Sequence, residues 1–214
     1  MQRVLEPELM DDATQALAYA QADFSEPNNL FVDLLVQHSN GPLTGHCLDL
    51  GCGPGDICFH LAERFPDLNI LGIDGAQEML SLAERKANPR VRFEQHTLPS
   101  RQLPNSYFDV VTSNSLLHHL HDPNTLWQTI NTCSKPGSKV FVMDLFRPDS
   151  NKQAGEIVEK YAAEEAEILK TDFYNSLLAA FSPEEVNQQL RDAGLTNMQI
   201  EVVSDRHLLI HGWL

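Results

Sequence analysis

Positive charge is scarce in this chain: 15 Lys and Arg stand against 30 Asp and Glu in 214 residues, a formal net charge of −15. Affinity for a phosphate backbone comes largely from clustered Lys and Arg, so a nucleic-acid partner, and with it an RNA-directed activity, is disfavoured. The acidic excess promotes solubility and leaves open a protein substrate or a neutral or cationic small molecule. Cysteine is sparse too. Cys47, Cys52, Cys58 and Cys133 lack the paired C-x-x-C spacing of a zinc site and lie on or beside apolar runs, which points to burial. No apolar run is long enough to span a bilayer, no repeat or low-complexity tract is visible, and residues 1–7 show no signal-peptide pattern, leading directly into acidic helix. These absences set the expectations of a cytoplasmic protein with no membrane partner, built as one domain over residues 1–214.

What is present centres on Cys47-Leu48-Asp49-Leu50-Gly51-Cys52-Gly53-Pro54-Gly55-Asp56, an apolar strand running into a turn with glycine at every second position. Glycines there let the backbone bend sharply and approach a ligand closely. Ile57, Cys58, Leu61, Ala62 and Phe65 then recur with helical spacing. About 20 residues past the glycines, Asn69-Ile70-Leu71-Gly72-Ile73-Asp74 is a short apolar run ending in a carboxylate, placed to accept from a ribose diol. The spacing D-x-G-x-G-x-G, in place of G-x-G-x-x-G, adds the acidic Asp49 near the turn and suits a cationic ligand better than a pyrophosphate.

With these motifs the sequence resembles the class I S-adenosylmethionine-dependent methyltransferases, particularly the small-molecule enzymes often labelled type 11. The resemblance runs from Cys47 to about Phe146, through the glycine turn, Ile73-Asp74, Tyr107-Phe108-Asp109-Val110-Val111, Leu117-His118-His119-Leu120-His121-Asp122-Pro123 and Lys135-Pro136-Gly137. It implies S-adenosylmethionine as cofactor, S-adenosylhomocysteine as product, and a Rossmann-like, doubly wound, mostly parallel seven-stranded sheet with one antiparallel edge strand and a helical cap.

The alternation of strand and helix patterns independently points to an α/β fold with right-handed crossovers. Strands are expected at 47–50, 70–73, 91–95, 109–113 and 139–145, with a final hairpin from 198–203 and 207–213. Ser182-Pro183-Glu184-Glu185 reads as a capping box with proline at the first helical position. Residues 1–40 read as a helical cap outside the sheet core, with Ala13, Leu17, Ala20 and Phe24 on one face and Phe31, Leu34 and Leu35 on another. Residues 149–181 read either as a cap insertion rich in aromatics or as a plain crossover.

In an open parallel sheet the ligand lies beyond the carboxyl ends of the strands, so the residues closing each strand carry the information. The resemblance implies that Asp49, Gly51, Cys52, Gly53 and Gly55 hold the aminoacyl part of the cofactor and that Asp74 and Gly75 hold the ribose. Met79, Thr97 and Leu98 are the candidates at the adenine, where His96-Thr97-Leu98 departs from the Gly-Asp-Ala frequent in relatives; Asn114 closes the fourth strand on the same side. Tyr19, His118, Asp144 and Arg147 are the substrate-side candidates, with Asp23 and Phe24 beside Tyr19 as residues able to close the cleft. Methyl transfer from a sulfonium needs mainly alignment and desolvation, and where the acceptor carries a proton, His119 is the first choice of base. No metal is expected, because the fourth strand ends without a ligating carboxylate and the histidines have no Cys pair or H-E-x-x-H frame. The reading is thus a methyltransferase acting on a small-molecule acceptor. The alternatives are a non-catalytic S-adenosylmethionine- or S-adenosylhomocysteine-binding regulator and a protein methyltransferase.

Overall fold

The computed structural model describes residues 1–9 and 11–214. Its elements run α1 (Ala13–Gln21), α2 (Ser25–Gln37), β1 (Gly45–Leu50), α3 (Asp56–Arg64), β2 (Leu68–Asp74), α4 (Gln77–Ala83), β3 (Val91–Gln95) and β4 (Phe108–Asn114). After a short 3-10 turn at Leu117–His119 come α5 (Asn124–Cys133), β5 (Ser134–Leu145), α6 (Asn151–Ala162), α7 (Glu167–Ala179), α8 (Pro183–Asp192), β6 (Gln199–Val202) and β7 (His207–Trp213). The sheet order is β3-β2-β1-β4-β5-β7-β6. The first five strands are mutually parallel, and the terminal hairpin supplies the antiparallel edge, β7 pairing antiparallel with both β5 and β6. The order reverses between β1 and β4, the place where such sheets open a crevice.

Alternation along the strands builds two cores. Leu48, Val111, Val140, Val142 and Ile210 face Trp127 and Ile130 of α5 and Val186 and Leu190 of α8. Cys47, Val110, Phe141, Met143 and Leu209 face the other way, toward Phe31 and Leu35 of α2 and Cys58 and Leu61 of α3. Strands buried on both faces read as continuous apolar runs, as β4 and β5 do. All four cysteines are buried free thiols. The capping box forms: Ser182 accepts from the Glu185 amide while the Glu185 carboxylate accepts from the Ser182 amide.

Three expectations about the amino-terminal region need correction. Residues 1–9 do not lead directly into helix; they run as irregular chain stitched to α7, with the Val4 amide donating to Leu178 O at 3.0 Å. Helix α2 does not stand outside the sheet core: Phe31 and Leu35 are fully buried, and the Phe31 ring meets Phe141 of β5 edge to face at 5.0 Å. On α1 the inward face is Ala16 and Tyr19, packed over Ala76 and Met79 of α4, whereas Leu17 and Ala13 point outward. The apolar spacing of a single short helix allowed both faces, and the partner surface on α4 selected one. Phe31→Ala is therefore expected to cost about 3–5 kcal/mol and Leu17→Ala less than about 0.5 kcal/mol in urea unfolding.

Candidate functional site

The turn after β1 is built from residues in the left-handed region: Gly51, Gly53 and Gly55 have φ of 69, 52 and 82°, where a β-carbon is disfavoured. A Cβ on Gly51 would fall 2.8 Å from the Leu116 side chain. The amides of Gly51 and Cys52 both donate to Ile73 O at 2.9 Å. Gly53 N–H donates to Asp74 Oδ2 and Ala76 N–H to Asp74 Oδ1, each at 2.8 Å. Asp74 therefore holds the turn's shape as well as facing the cavity. Burial raises its pKa against the pull of those amides.

Beneath the turn, Asp49 accepts from Thr112 Oγ1 at 2.8 Å and from Cys58 Sγ at 3.2 Å. It is 1% exposed, and burial pushes its pKa up to about 6 against those hydrogen bonds. Nearby, Asn114 Oδ1 is a buried acceptor with no hydrogen-bond partner among the described residues.

A cavity of about 550 Å³ opens from this turn. Asp49, Gly51, Cys52, Gly53 and Asn114 line one end, and Asp74, Gly75, Met79, Thr97 and Leu98 line the adjoining wall. Gly55 does not reach it: this residue caps α3, and its Cβ position lies 2.6 Å from the Phe93 ring, so close helix–strand packing is what requires glycine there. His96 also lines the wall, held by Ser100 Oγ at 2.9 Å and Glu94 Oε2 at 3.1 Å.

The far end is formed by His118 and His119; Tyr19, Phe24, Tyr161 and Phe173 also line the cavity. Two substrate-side candidates lie elsewhere. Asp144 stands behind the wall, 2% exposed, its carboxylate paired with His118 Nδ1 and accepting from the Leu117 and Leu145 amides. Arg147 turns away from the cavity to Glu185 Oε1 at 2.8 Å and Ala180 O at 3.0 Å, and so pairs with neither Asp144 nor Asp149. Asp144 is the penultimate residue of β5, and Arg147 follows the strand's end, where the bridge between Phe146 and Phe181 directs the backbone toward α8.

The two histidines differ. Burial pulls the His118 imidazole down, but Asp144 and Glu6 outweigh it and hold its pKa above the ordinary value. Burial and then His118 lower the His119 pKa to about 3, so that this imidazole is neutral. As a proton acceptor His119 is thus weaker than its sequence position suggests.

Glu6 is the residue that sequence reasoning missed. Its Oε1 lies 3.2 Å from His119 Nδ1 and 3.6 Å from His118 Nε2, and its Oε2 accepts from Ser176 Oγ at 3.2 Å. Arg3 secures the segment, donating to Ala179 O, His118 O and Leu120 O and lying 3.8 Å above the Phe181 ring. Leu9 crosses Gly75, where an added Cβ would fall 2.6 Å from it. No periodicity marks residues 3–9, and their partners lie over 60 positions away, which leaves no local signal. The two imidazoles and Glu6 place ligating atoms within 4.8 Å of one another, a convergence that the adjacent histidines alone did not imply.

A family model described as a methyltransferase domain matches residues 9–200. Phosphoethanolamine N-methyltransferase 1 of Arabidopsis thaliana is 30% identical over 166 residues, 76% of this chain and 31% of that protein. The chain thus spans about a third of that relative's length. Among solved structures, Haemonchus contortus phosphoethanolamine N-methyltransferase 2, in complex with phosphomonomethylethanolamine and S-adenosylhomocysteine, aligns with a TM-score of 0.69 at 21% identity, over 88% of this chain and 43% of that one. A SAM-dependent methyltransferase from Aquifex aeolicus aligns with a TM-score of 0.68 at 18% identity, over 94% and 98%.

The raised Asp49 pKa has a stability consequence. With a folded pKa of about 6 against an ordinary 3.8, the native state binds more protons than the unfolded one between those values, so stability falls as pH rises through that window and levels off above it. Asp49→Asn, which keeps the shape without the buried charge, is expected to stabilise the ligand-free protein at pH 7–8 by up to about 3 kcal/mol. Urea titrations across pH should show the gain shrinking as pH falls toward 4.

Proposed function

Because the chain belongs to the methyltransferase-domain family and has the class I S-adenosylmethionine-dependent fold, we propose that it moves a methyl group from S-adenosylmethionine to a small-molecule acceptor by in-line displacement. The observation that carries this reading is the cavity joining the glycine turn to the histidine end, deep enough to hold two reactants side by side. Bound there, the cofactor supplies an activated methyl group on a sulfonium.

The residues fit that group. Asp49 and the unpartnered Asn114 Oδ1 offer acceptors for an aminoacyl ammonium, Asp74 retains acceptor capacity toward a ribose diol, and Met79, Thr97 and Leu98 flank the space for the base. Residues 3–9, α1, α6 and α7 act as the cap, excluding water from the reacting end. A roofed cavity suits a small acceptor better than a protein segment, and the net charge of −15 argues against RNA. Four unpaired thiols suit a reducing, cytoplasmic setting. Transfer needs no metal in this reading, because alignment and desolvation supply the rate.

Calorimetry is expected to show binding of S-adenosylmethionine and S-adenosylhomocysteine, weakened by about 1–3 kcal/mol in Asp74→Ala, with a melting curve to separate loss of contact from loss of the turn. Binding of NAD, and of neither sulfur compound, contradicts the assignment. Turnover should be unchanged by a chelator; its loss, with recovery on adding magnesium or zinc, overturns the metal-free mechanism.

A further inference from the structure

We propose that the acceptor is an amine entering as its ammonium ion, and that Glu6 receives its N–H groups at the histidine end of the cavity. This rests on the methyl-transfer reading above and narrows it to one acceptor chemistry.

The charge of the cavity comes first. Four glutamates and six aspartates line it, against one guanidinium among the described residues, that of Arg206, and the His118 imidazole, which Asp144 and Glu6 already hold. Arg206 is already committed: it stacks 3.4 Å above the Tyr161 ring and pairs with Asp205 at 3.3 Å and Glu26 at 3.7 Å. A phosphate- or carboxylate-bearing acceptor would meet uncompensated repulsion and find no free cation to receive it, whereas an ammonium gains from the same field.

The second observation is local. Several of the lining carboxylates already have donors: Asp49 has Thr112 and Cys58, Asp74 has two amides, and Asp172 accepts from Gln15 Nε2 at 2.8 Å. Glu6 differs. Its side chain is only 9% exposed and Oε2 accepts from Ser176 Oγ, but Oε1 and the adjacent His119 Nδ1, 3.2 Å apart, make no hydrogen bond among the described residues. A buried carboxylate oxygen without a hydrogen bond is costly unless a ligand supplies the missing donor. An ammonium offers up to three.

Chemistry fits the same placement. An ammonium has no lone pair, so one N–H proton must leave before the nitrogen can attack. The Glu6 carboxylate takes that proton; its pKa is raised by burial, which brings it nearer the working pH. The amine nitrogen then forms a bond to the methyl carbon as the carbon–sulfur bond breaks, with the electron pair leaving on sulfur. The products are an N-methylammonium ion and the thioether, and the proton passes from Glu6 to solvent as they depart. His118, held through Nδ1 by Asp144, fixes the wall against which Glu6 rests.

The test is calorimetry on protein saturated with S-adenosylhomocysteine, titrated with benzylamine, benzyl alcohol and benzoate, three probes of similar size and different charge. Benzylamine should bind at least about tenfold tighter than either other probe; Glu6→Gln should abolish that preference and Glu6→Asp should restore part of it, with melting curves confirming that both variants fold. Equal affinities, a preference for benzoate or benzyl alcohol, or an amine preference that survives in Glu6→Gln overturns the proposal. So does stoichiometric binding of zinc alone that is lost in Glu6→Gln, since the cluster would then be a metal site. Failure of S-adenosylhomocysteine to bind refutes the methyl-transfer reading itself, and this inference with it.

Discussion

The hydrogen bond from the Gly53 amide to the Asp74 carboxylate fixes how the rest of the site is arranged. It ties the turn after β1 to the end of β2, while the Gly51 and Cys52 amides close the same seam on Ile73 O. With both strands buried on both faces, neither end can shift without disturbing the two cores. The turn therefore presents a rigid rim at the place where the strand order reverses, and the cavity opens from that rim. Asp74 has two tasks as a result: it holds the turn, and it faces the cavity with acceptor capacity to spare.

The opposite end is assembled differently. His118 is set by Asp144 from behind, at the end of β5, but the group facing it comes from the first residues of the chain. Arg3 links that segment to the carbonyls of the histidine turn and of α7, so Glu6 is delivered by a strap with well-defined anchors on both sides of the cleft. The cavity thus has a rigid sheet-borne end and an end closed by irregular chain. This division suits an enzyme in which one partner is common to a family and the other varies.

Much of this was legible in the sequence because it is local. The apolar strand into alternate glycines, the carboxylate closing β2, the bounds of β3 and the Ser182 capping box each follow from short-range chemistry, and the structure has them where the pattern put them. What escaped depends on long-range placement. Leu17 and Ala16 are equally plausible inward residues until α4 supplies a partner surface. Arg147 reads as a substrate-side candidate until Glu185, 38 positions on, takes its guanidinium. Glu6 lies in a stretch without periodicity, and the two histidines acquire their different proton affinities only when Glu6 and Asp144 are in place.

The central claim, that one roofed cavity carries methyl transfer to a small molecule, is tested most directly with methyl-labelled S-adenosylmethionine. The protein is incubated with a fractionated cell extract and every labelled species is identified by mass. The account predicts label in a low-molecular-weight compound. Label confined to protein or RNA, or cofactor that is bound but never turned over, would contradict it.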